Sequence, residues 1–544
     1  MTLPLFDKAA TYVRYSAALR RFLRERLTLE EAAQRVRTQL AQREEAFLRL
    51  LERAVYAYPA SPYNKLLNAA GVGVSDVRAL VAQNGLEGAL ERLHDGGVYV
   101  TQDEFKGHSP VVRNGIEFDI TATDFDNPLN ADHYRASTSG SRGTPTRLRF
   151  DFEHLASATP VHACFFAAHG ISGRPTAVWR PAPPDLSGLV NVLLYARIGM
   201  TPERWFAQNR TVPTGGDLGA VAITALTLAV SRLTGRPLPA PEHVPPEEVE
   251  RIISWLAAMK QRGTPAILEA SASAAVRVCA EAQRRGIDIS GSVARVGGEP
   301  FTPAKAEILA AAGVTGLNHY AMMEFGALGL ACAAPLEIDD SHVLTDRIGV
   351  ISRPLSAGER GETVPSLLYT TLQPTSSKLA INVESGDYGT LVERDCGCGL
   401  GELGLRTHVS GMRSYDKLTS EGVTFGGTAL YELIETVLPA RFGGSPTDYQ
   451  LVEEEEEGGL PKVSVVVAPR VGAIDEGEVV SSVVQALRAL PRGGRLMTEQ
   501  WLQGDTLRVV RREPYATSSS KVLPLHLLRQ TRETPERTAG PHAK

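Results

Sequence analysis

Apolar and polar positions alternate at helical spacing over the first hundred residues. Leu, Ala, Arg and Glu recur at intervals of three and four from about Leu19 to Val55, and again from Val74 to Leu93. Pro59 and Pro62 break the run between them. This pattern predicts a helical region over residues 1–100, acting as a scaffold or cap of a larger domain or as a gate for substrate. From 101 to 412 strands and helices intermix. VHACFFAAHG (161–170) reads as a short strand, and PAILEASASAAVRVCAEAQRRG (265–286) as a long helix. DISGSVARVGGEP (288–300) reads as a strand running into a glycine turn, and FTPAKAEILAAAG (301–313) as a helix stopped by Gly313. Such alternation implies a large layered α/β domain. Beyond 413 the texture changes again. LPKVSVVVAPR (460–470) is a buried-type strand, GEVVSSVVQALRAL (477–490) a helix and DTLRVVRREP (505–514) another strand, with the acidic run Glu453–Glu457 at a solvated hairpin tip. Residues 413–544 are therefore expected to form a smaller α+β domain.

Composition narrows the class. A chain of 544 residues exceeds one ordinary core, and a formal net charge of -5 disfavours a dedicated nucleic-acid binder. The N-terminus shows no positive leader with an apolar core, and LGAVAITALTLAV (218–230) is too short to span a bilayer. Five cysteines in this length do not suggest a disulfide scaffold. A cytoplasmic protein without membrane or nucleic-acid partners is expected.

One stretch carries candidate chemistry. STSGSRGTPTRLRF (137–150) sets Gly140 and Gly143 among the hydroxyls of Ser139, Ser141 and Thr144, with Arg142 between the glycines. Backbone N–H groups, hydroxyls and a guanidinium in such a loop can hold phosphate, although the spacing is not that of a P-loop. On composition alone the stretch reads equally as a surface turn.

With the segments downstream it resembles the phosphate loop of adenylate-forming ligases, in particular the phenylacetate–coenzyme A ligase branch. GGEP (297–300) resembles that family's adenine-lining segment and places Gly298, Glu299 and Pro300 in the nucleotide site. NHYAMMEFG (318–326) resembles its Tyr-x-x-x-Glu motif, which implies Tyr320 near adenine and Glu324 holding Mg²⁺ beside the ATP phosphates. ESGDYG (384–389) resembles the Thr-Gly-Asp motif, so Asp387 would bind the ribose hydroxyls. RSYDKLTSEGV (413–423) resembles the run joining the two domains, with Arg413 on the family arginine. SSSKVLPLHLL (518–528) resembles the C-terminal lysine loop, with Lys521 as the adenylation lysine. The motifs keep the family order across residues 137–528. Tyr415 stands where an acidic residue is usual, Ser520 replaces the glycine before the lysine, and Ser385 replaces a threonine.

The resemblance implies a mobile small domain and a two-step reaction. ATP and a carboxylic acid, aryl or arylacetic in that branch, would give an acyl adenylate. The acyl group would then pass to a thiol, coenzyme A first among the candidates, with a carrier-protein thiol or an amine as alternatives. A non-catalytic scaffold that binds a nucleotide or a partner is the reading from another class.

Cys396 and Cys398, in CGCG, can present two thiolates to one metal, and Cys332 with His342 would complete a Cys₃His set suited to structural zinc. A similar metal site is implied by the resemblance to that branch. Reduced cysteines and a redox pair are the other readings. Cys164 and Cys279 sit in apolar or helical stretches and read as core. His319, beside Tyr320, reads as an acyl-pocket residue or as a packing residue.

Overall fold

The computed structural model describes residues 5–131, 133–137, 147–209, 218–357, 362–414, 419–420, 423–424, 427–454, 462–489, 507–517 and 520–528. It separates into two compact units: Met1–Asp416 with Ala516–Lys521, and Lys417–Tyr515 with Val522–Lys544.

The first unit is built on twelve strands: β1 (Thr176–Trp179), β2 (Arg204–Ala207), β3 (Pro241–His243), β4 (Ile267–Ala270), β5 (Val293–Gly297), β6 (Thr315–Met322), β7 (Gly326–Ala331), β8 (Ser341–Val343), β9 (Ile348–Ala357), β10 (Glu362–Thr371), β11 (Val383–Glu393) and β12 (Thr407–Ser414). Their order across the sheet is β9-β10-β11-β12-β8-β7-β6-β5-β4-β1-β2-β3. From β6 through β3 every neighbouring pair is parallel. From β6 through β9 every pair is antiparallel. Strand β6 belongs to both halves.

Local chemistry sets the boundaries. Thr28 caps the helix Leu29–Ala41 by accepting from the Glu31 amide, while Glu31 answers by accepting from the Thr28 amide. Ser271 accepts from the Ala274 amide and starts the helix Ala272–Arg284 directly after β4. The stretch 265–286 is thus a strand followed by a helix, where a single long helix is expected from sequence. VHACFFAAHG is likewise not a strand: it lies inside the helix Phe152–Ala168, where Val161, Cys164, Phe165 and Phe166 are all buried. A helix enclosed on most sides loses its polar stripe, so its sequence reads as a plain apolar run. The N-terminal hundred residues form helices, including Leu5–Arg24, Leu29–Ala41 and Val74–Asp95, that pack against the sheet's two large apolar clusters. Cys164 and Cys279 are buried, and burial raises both thiols, to about 11 and about 12.

The second unit is α+β. It has a four-stranded sheet of β13 (Tyr449–Glu454), β14 (Lys462–Val467), β15 (Leu507–Arg511) and β16 (Leu525–Leu528), in the order β15-β14-β13-β16. Val479 and Val483 of the helix Glu476–Ala489 share its apolar cluster with Val465, Val467 and Leu451. Glu453 pairs with Val463 and Glu454 with Lys462 across β13 and β14, and the rest of the acidic run, 455–457, lies outside the described residues.

The link between β8 and β9 holds a buried acid. Asp346 and Arg347 are 0% and 2% exposed, with Nε of Arg347 3.7 Å from Oδ2 of Asp346. Neither carboxylate oxygen has a hydrogen-bond donor among the described residues. Burial pushes the Asp346 pKa up to about 6, against the pull of Arg347. A carboxyl raised above its unfolded value favours the fold while protonated, and that advantage is lost as it ionises. Relative to Asp346→Asn, the wild-type protein should lose on the order of 2 to 3 kcal/mol of stability as pH rises from about 4 to about 6. Urea unfolding of both proteins across that range measures it, and a constant difference would show that the carboxylate is compensated.

Candidate functional site

The carboxyl end of β5 turns at Gly297–Gly298. Gly298 has φ +88, open to glycine and strained for other residues, and space there is short as well. A Cβ at this position would stand 2.9 Å from Cε and 3.0 Å from Nζ of Lys521, and 3.7 Å from Nη1 of Arg180. Lys521 belongs to the segment Ala516–Lys521 that clusters with the first unit. Its amide donates to the Thr517 hydroxyl at 3.1 Å, and its carbonyl accepts from the Thr517 amide at 2.9 Å. Ser520, just before it, takes φ +56. The position where the family pattern has glycine therefore keeps a glycine-type backbone, at the steric cost of a serine there.

Other strands of the same sheet carry the other candidates. In the parallel register Gly297 of β5 faces His319 of β6, which sets Tyr320 one residue beyond the turn. The Tyr320 hydroxyl donates to Oδ2 of Asp387 on β11 at 2.8 Å. Burial and the adjacent Asp387 carboxylate raise the Tyr320 phenol well above its ordinary value, so it remains a donor. Asp387 follows Gly386, which has φ +74, and its amide donates to the Ser385 hydroxyl at 3.1 Å. Ser385 is buried and itself donates to the Leu367 carbonyl at 2.9 Å, so serine at this position locks the bend. Across the β11–β12 ladder Asp387 faces Ser414 and Tyr388 faces Arg413. Arg413 donates to the Met412 carbonyl at 2.7 Å and lies 3.5 Å from the Asp339 carboxylate. That carboxylate also accepts from the Gly411 and Met412 amides.

Lys521 thus lies against Gly298, Tyr320 is bonded to Asp387, and Arg413 stands next to the residue that faces Asp387 on β12. Glu324 sits in the turn between β6 and β7, half-exposed, on a hairpin and not on a helix. A carboxylate open to water at a turn is a hard oxygen donor of the kind Mg²⁺ takes. Glu299 is engaged internally: it accepts from the Ser273 amide at 2.8 Å and hydroxyl at 2.5 Å, at the start of the helix Ala272–Arg284, with Lys305 3.6 Å away. Pro300 accepts from Lys305 through its carbonyl at 3.0 Å. Ser139, Gly140, Ser141, Arg142, Gly143 and Thr144 lie outside the described residues, as does Tyr415. The strands flanking that loop, Tyr134–Ser137 and Arg147–Phe150, pair antiparallel with Ser137 opposite Arg147.

Beside the Gly297–Gly298 turn lies a buried polar group that the sequence gives no signal for. Glu269 on β4 accepts from Arg180 at 3.1 Å, from Arg295 of β5 at 2.6 Å and from the Tyr195 hydroxyl at 3.3 Å. His162 and His319 stand edge to face, their ring centroids 5.8 Å apart. Burial, reinforced by the positive charge of Arg295, lowers both well below the usual histidine range and keeps them neutral.

The cysteine residues converge elsewhere in the same sheet. Cys332 follows β7, His342 lies on β8, and Cys396 and Cys398 lie between β11 and β12. Nε2 of His342 is 3.1 Å from the Cys398 sulfur and 3.7 Å from that of Cys396, and the sulfurs of Cys332 and Cys398 are 4.0 Å apart. These spacings fit tetrahedral zinc, whose Zn–S bonds of ~2.3 Å separate sulfurs by about 3.8 Å. The orienting contacts fit too. Nδ1 of His342 faces the Leu405 carbonyl at 2.7 Å, which can only accept, so the proton sits there and Nε2 offers its lone pair to the cysteines. His408, absent from the sequence reading, joins them: donor atoms of Cys332, His342, Cys396 and His408 all lie within 4.8 Å of one another. Nδ1 of His408 is held by Asp340 at 2.7 Å, while its buried Nε2 has no partner among the described residues. Within the cluster Cys332 gives its S–H to Cys398, which lowers Cys398 and raises Cys332.

No protein-family model matches the chain, and no curated protein sequence matches it. Two crystal structures of 2-hydroxyisobutyryl-CoA ligase in the postadenylation state share its fold. The one in complex with R3-HIB-AMP aligns with a TM-score of 0.52 at 16% identity, over 90% of this chain and 90% of the ligase chain. The one in complex with 2-HIB-AMP aligns with a TM-score of 0.52 at 17% identity, with the same coverage of both chains. The large α/β sheet and the smaller α+β sheet are the architecture of that ligase.

Glu269→Gln should cost about 3 to 5 kcal/mol of stability, because it leaves two buried guanidinium groups without their shared carboxylate. Urea unfolding measures this. A loss under about 1 kcal/mol would mean that the arginines relax to other acceptors.

Proposed function

We propose that this protein activates a carboxylic acid with ATP and transfers the acyl group to a thiol, coenzyme A in the first instance. The observation that carries the reading is the Tyr320–Asp387 hydrogen bond, one strand from the glycine turn over which Lys521 lies. A vicinal diol needs a fixed two-oxygen acceptor, and the bond to Tyr320 fixes Asp387. A carboxylate attacking phosphorus needs a nearby cation, and lysine supplies a compact charge on a flexible stem. The postadenylation ligase of the same fold is described in complex with acyl adenylates. Aryl or arylacetic acids, suggested by the resemblance to the phenylacetate–coenzyme A ligase branch, are the acids to try first.

In the first step a substrate carboxylate oxygen attacks the α-phosphorus. The bond to the β-phosphate breaks, and pyrophosphate leaves with the electron pair. Lys521 offsets the charge gathered between carboxylate and α-phosphate, while Asp387 and Tyr320 hold the nucleoside. Mg²⁺, held through Glu324 and water, would neutralise the leaving phosphates. In the second step a thiol attacks the acyl carbonyl and AMP is expelled.

Pyrophosphate release from MgATP, measured with aryl, arylacetic, alkyl and amino acids, with and without coenzyme A, tests the proposal. Acid-dependent release with AMP as co-product is expected, with an acyl-CoA product when the thiol is present. ATP binding without release under any acid would favour the scaffold reading. A product formed only with a carrier-protein thiol or an amine would move the acceptor. Lys521→Ala should slow adenylation by at least about a hundredfold and leave thiolysis of supplied acyl adenylate less affected. Equal loss in both half-reactions would remove Lys521 from the first step.

We propose in addition that the cysteine–histidine cluster holds structural zinc. Metal analysis of the purified chain should give one zinc per molecule, lost in Cys398→Ser together with several degrees of melting temperature. A folded, fully reduced and zinc-free protein would refute the assignment.

A further inference from the structure

The strand order of the parallel half, β5-β4-β1-β2-β3, shows the chain winding outward from β1 to β3 and returning to place β4 on the other side of β1. Strands β1 and β4 thus flank the point where the winding reverses. In open α/β sheets the crevice beyond the carboxyl ends of such a pair is where ligands bind. Arg180 is the first residue after β1, and its guanidinium reaches both β4 and β5. Nη2 donates to Glu269 at 3.1 Å and to the Ala270 carbonyl at 2.6 Å, both on β4, and Nη1 reaches the Gly297 carbonyl of β5 at 3.3 Å.

Among the described residues the charges of this buried group do not cancel. The side chains of Arg180, Arg295 and Glu269 are 8%, 0% and 0% exposed, so one carboxylate answers two guanidinium groups. Lys521 lies against the same point, at Gly298. The nearby Glu299 carboxylate is taken by Ser273 and Lys305. Nε of Arg180 has no acceptor among the described residues. A buried cation in excess is costly, and a bound anion offsets that cost. The nucleoside end of the site, Tyr320 and Asp387, lies on β6 and β11, on the other side of β5 from Arg180. An anion at Arg180 therefore approaches Lys521 from the side opposite the ribose.

We propose that Arg180 is a substrate-binding residue, and that the crevice between Arg180 and Gly298 receives the carboxylate of the acid to be activated. The identity of that anion as the reacting carboxylate rests on the adenylation reading above; the anion subsite itself rests on the charge count. Arg180 fixes one carboxylate oxygen by a charge-assisted hydrogen bond and leaves the other to attack. It takes no part in proton transfer, and its charge is unchanged through the step.

Binding is read without turnover, by thermal shift of the full-length protein titrated with acetate, benzoate and phenylacetate, with inorganic phosphate, and separately with AMP. The wild type should be stabilised saturably by at least one of the carboxylates. Arg180→Gln should weaken that carboxylate at least about tenfold and leave AMP affinity within about threefold. Because Arg180→Gln removes the excess charge, it should fold; circular dichroism checks this. Arg180→Lys, which keeps the charge and loses the planar fork, is the second variant and should also weaken the carboxylate while sparing AMP. Three outcomes overturn the proposal: no carboxylate binds the wild type, carboxylates bind both variants as tightly as the wild type, or the variants lose phosphate and keep the carboxylate. If carboxylate binding depends on Arg180 while AMP does not bind at all, the subsite stands and the adenylation reading fails.

Discussion

A single buried carboxylate organises the centre of this protein. Glu269 stands on β4, beside the reversal in strand order, and accepts from residues that three other elements bring to it: Arg180 after β1, Arg295 of β5 and Tyr195 of the helix Ser187–Arg197. Ions of this kind carry a desolvation penalty that only close partners offset, so none of the three elements can shift alone. The Gly297–Gly298 turn is fixed by the same group, through the Arg180 bonds to the Gly297 carbonyl. Everything above the turn, including the strand that carries Tyr320, inherits its position.

A second constraint holds the antiparallel half. Asp339 and Asp340 are neighbours in sequence but serve opposite ends of β12. Asp340 holds His408 at 2.7 Å and Arg394 at 2.5 Å, near the cysteine residues. Asp339 caps the amides of Gly411 and Met412 and faces Arg413. One dipeptide therefore sets the register of β12 at both ends. It links the cysteine–histidine cluster mechanically to the arginine that stands opposite Tyr388.

Much of this was legible in the sequence wherever the signal is local. The layered α/β class followed from alternation of element types, and FTPAKAEILAAAG was readable as a helix stopped by Gly313; its start is capped by Thr302, whose side chain accepts from the Lys305 amide. The resemblance assigned Tyr320 and Asp387 to one nucleotide, at adenine and ribose, and their hydroxyl and carboxylate are in contact. Misreadings fell where burial erases periodicity, as in VHACFFAAHG, and where a four-residue strand runs straight into a helix at Ser271. Arg180, Glu269 and His408 could not be read at all. Each owes its meaning to a partner distant in the chain: 89 residues separate Arg180 from Glu269, and 68 separate Asp340 from His408. Periodicity and spacing carry no trace of such pairs. Ser520 shows the opposite case, where a departure from the family pattern leaves the backbone conformation in place.

The interleaving of β8 and β12 also has a temporal meaning. Strand β8 lies between β7 and β12, so 66 residues separate the paired His342 and His408. During synthesis the parallel half is complete once β6 has left the ribosome, and it can acquire its core early. The antiparallel half must wait for β12, with Cys332 and His342 standing open until then. A nascent chain of this protein therefore passes through an interval in which two thirds of its sheet exists with an unpaired edge at β8. Closing that edge and bringing together the cysteine and histidine donors are, in this fold, one and the same event.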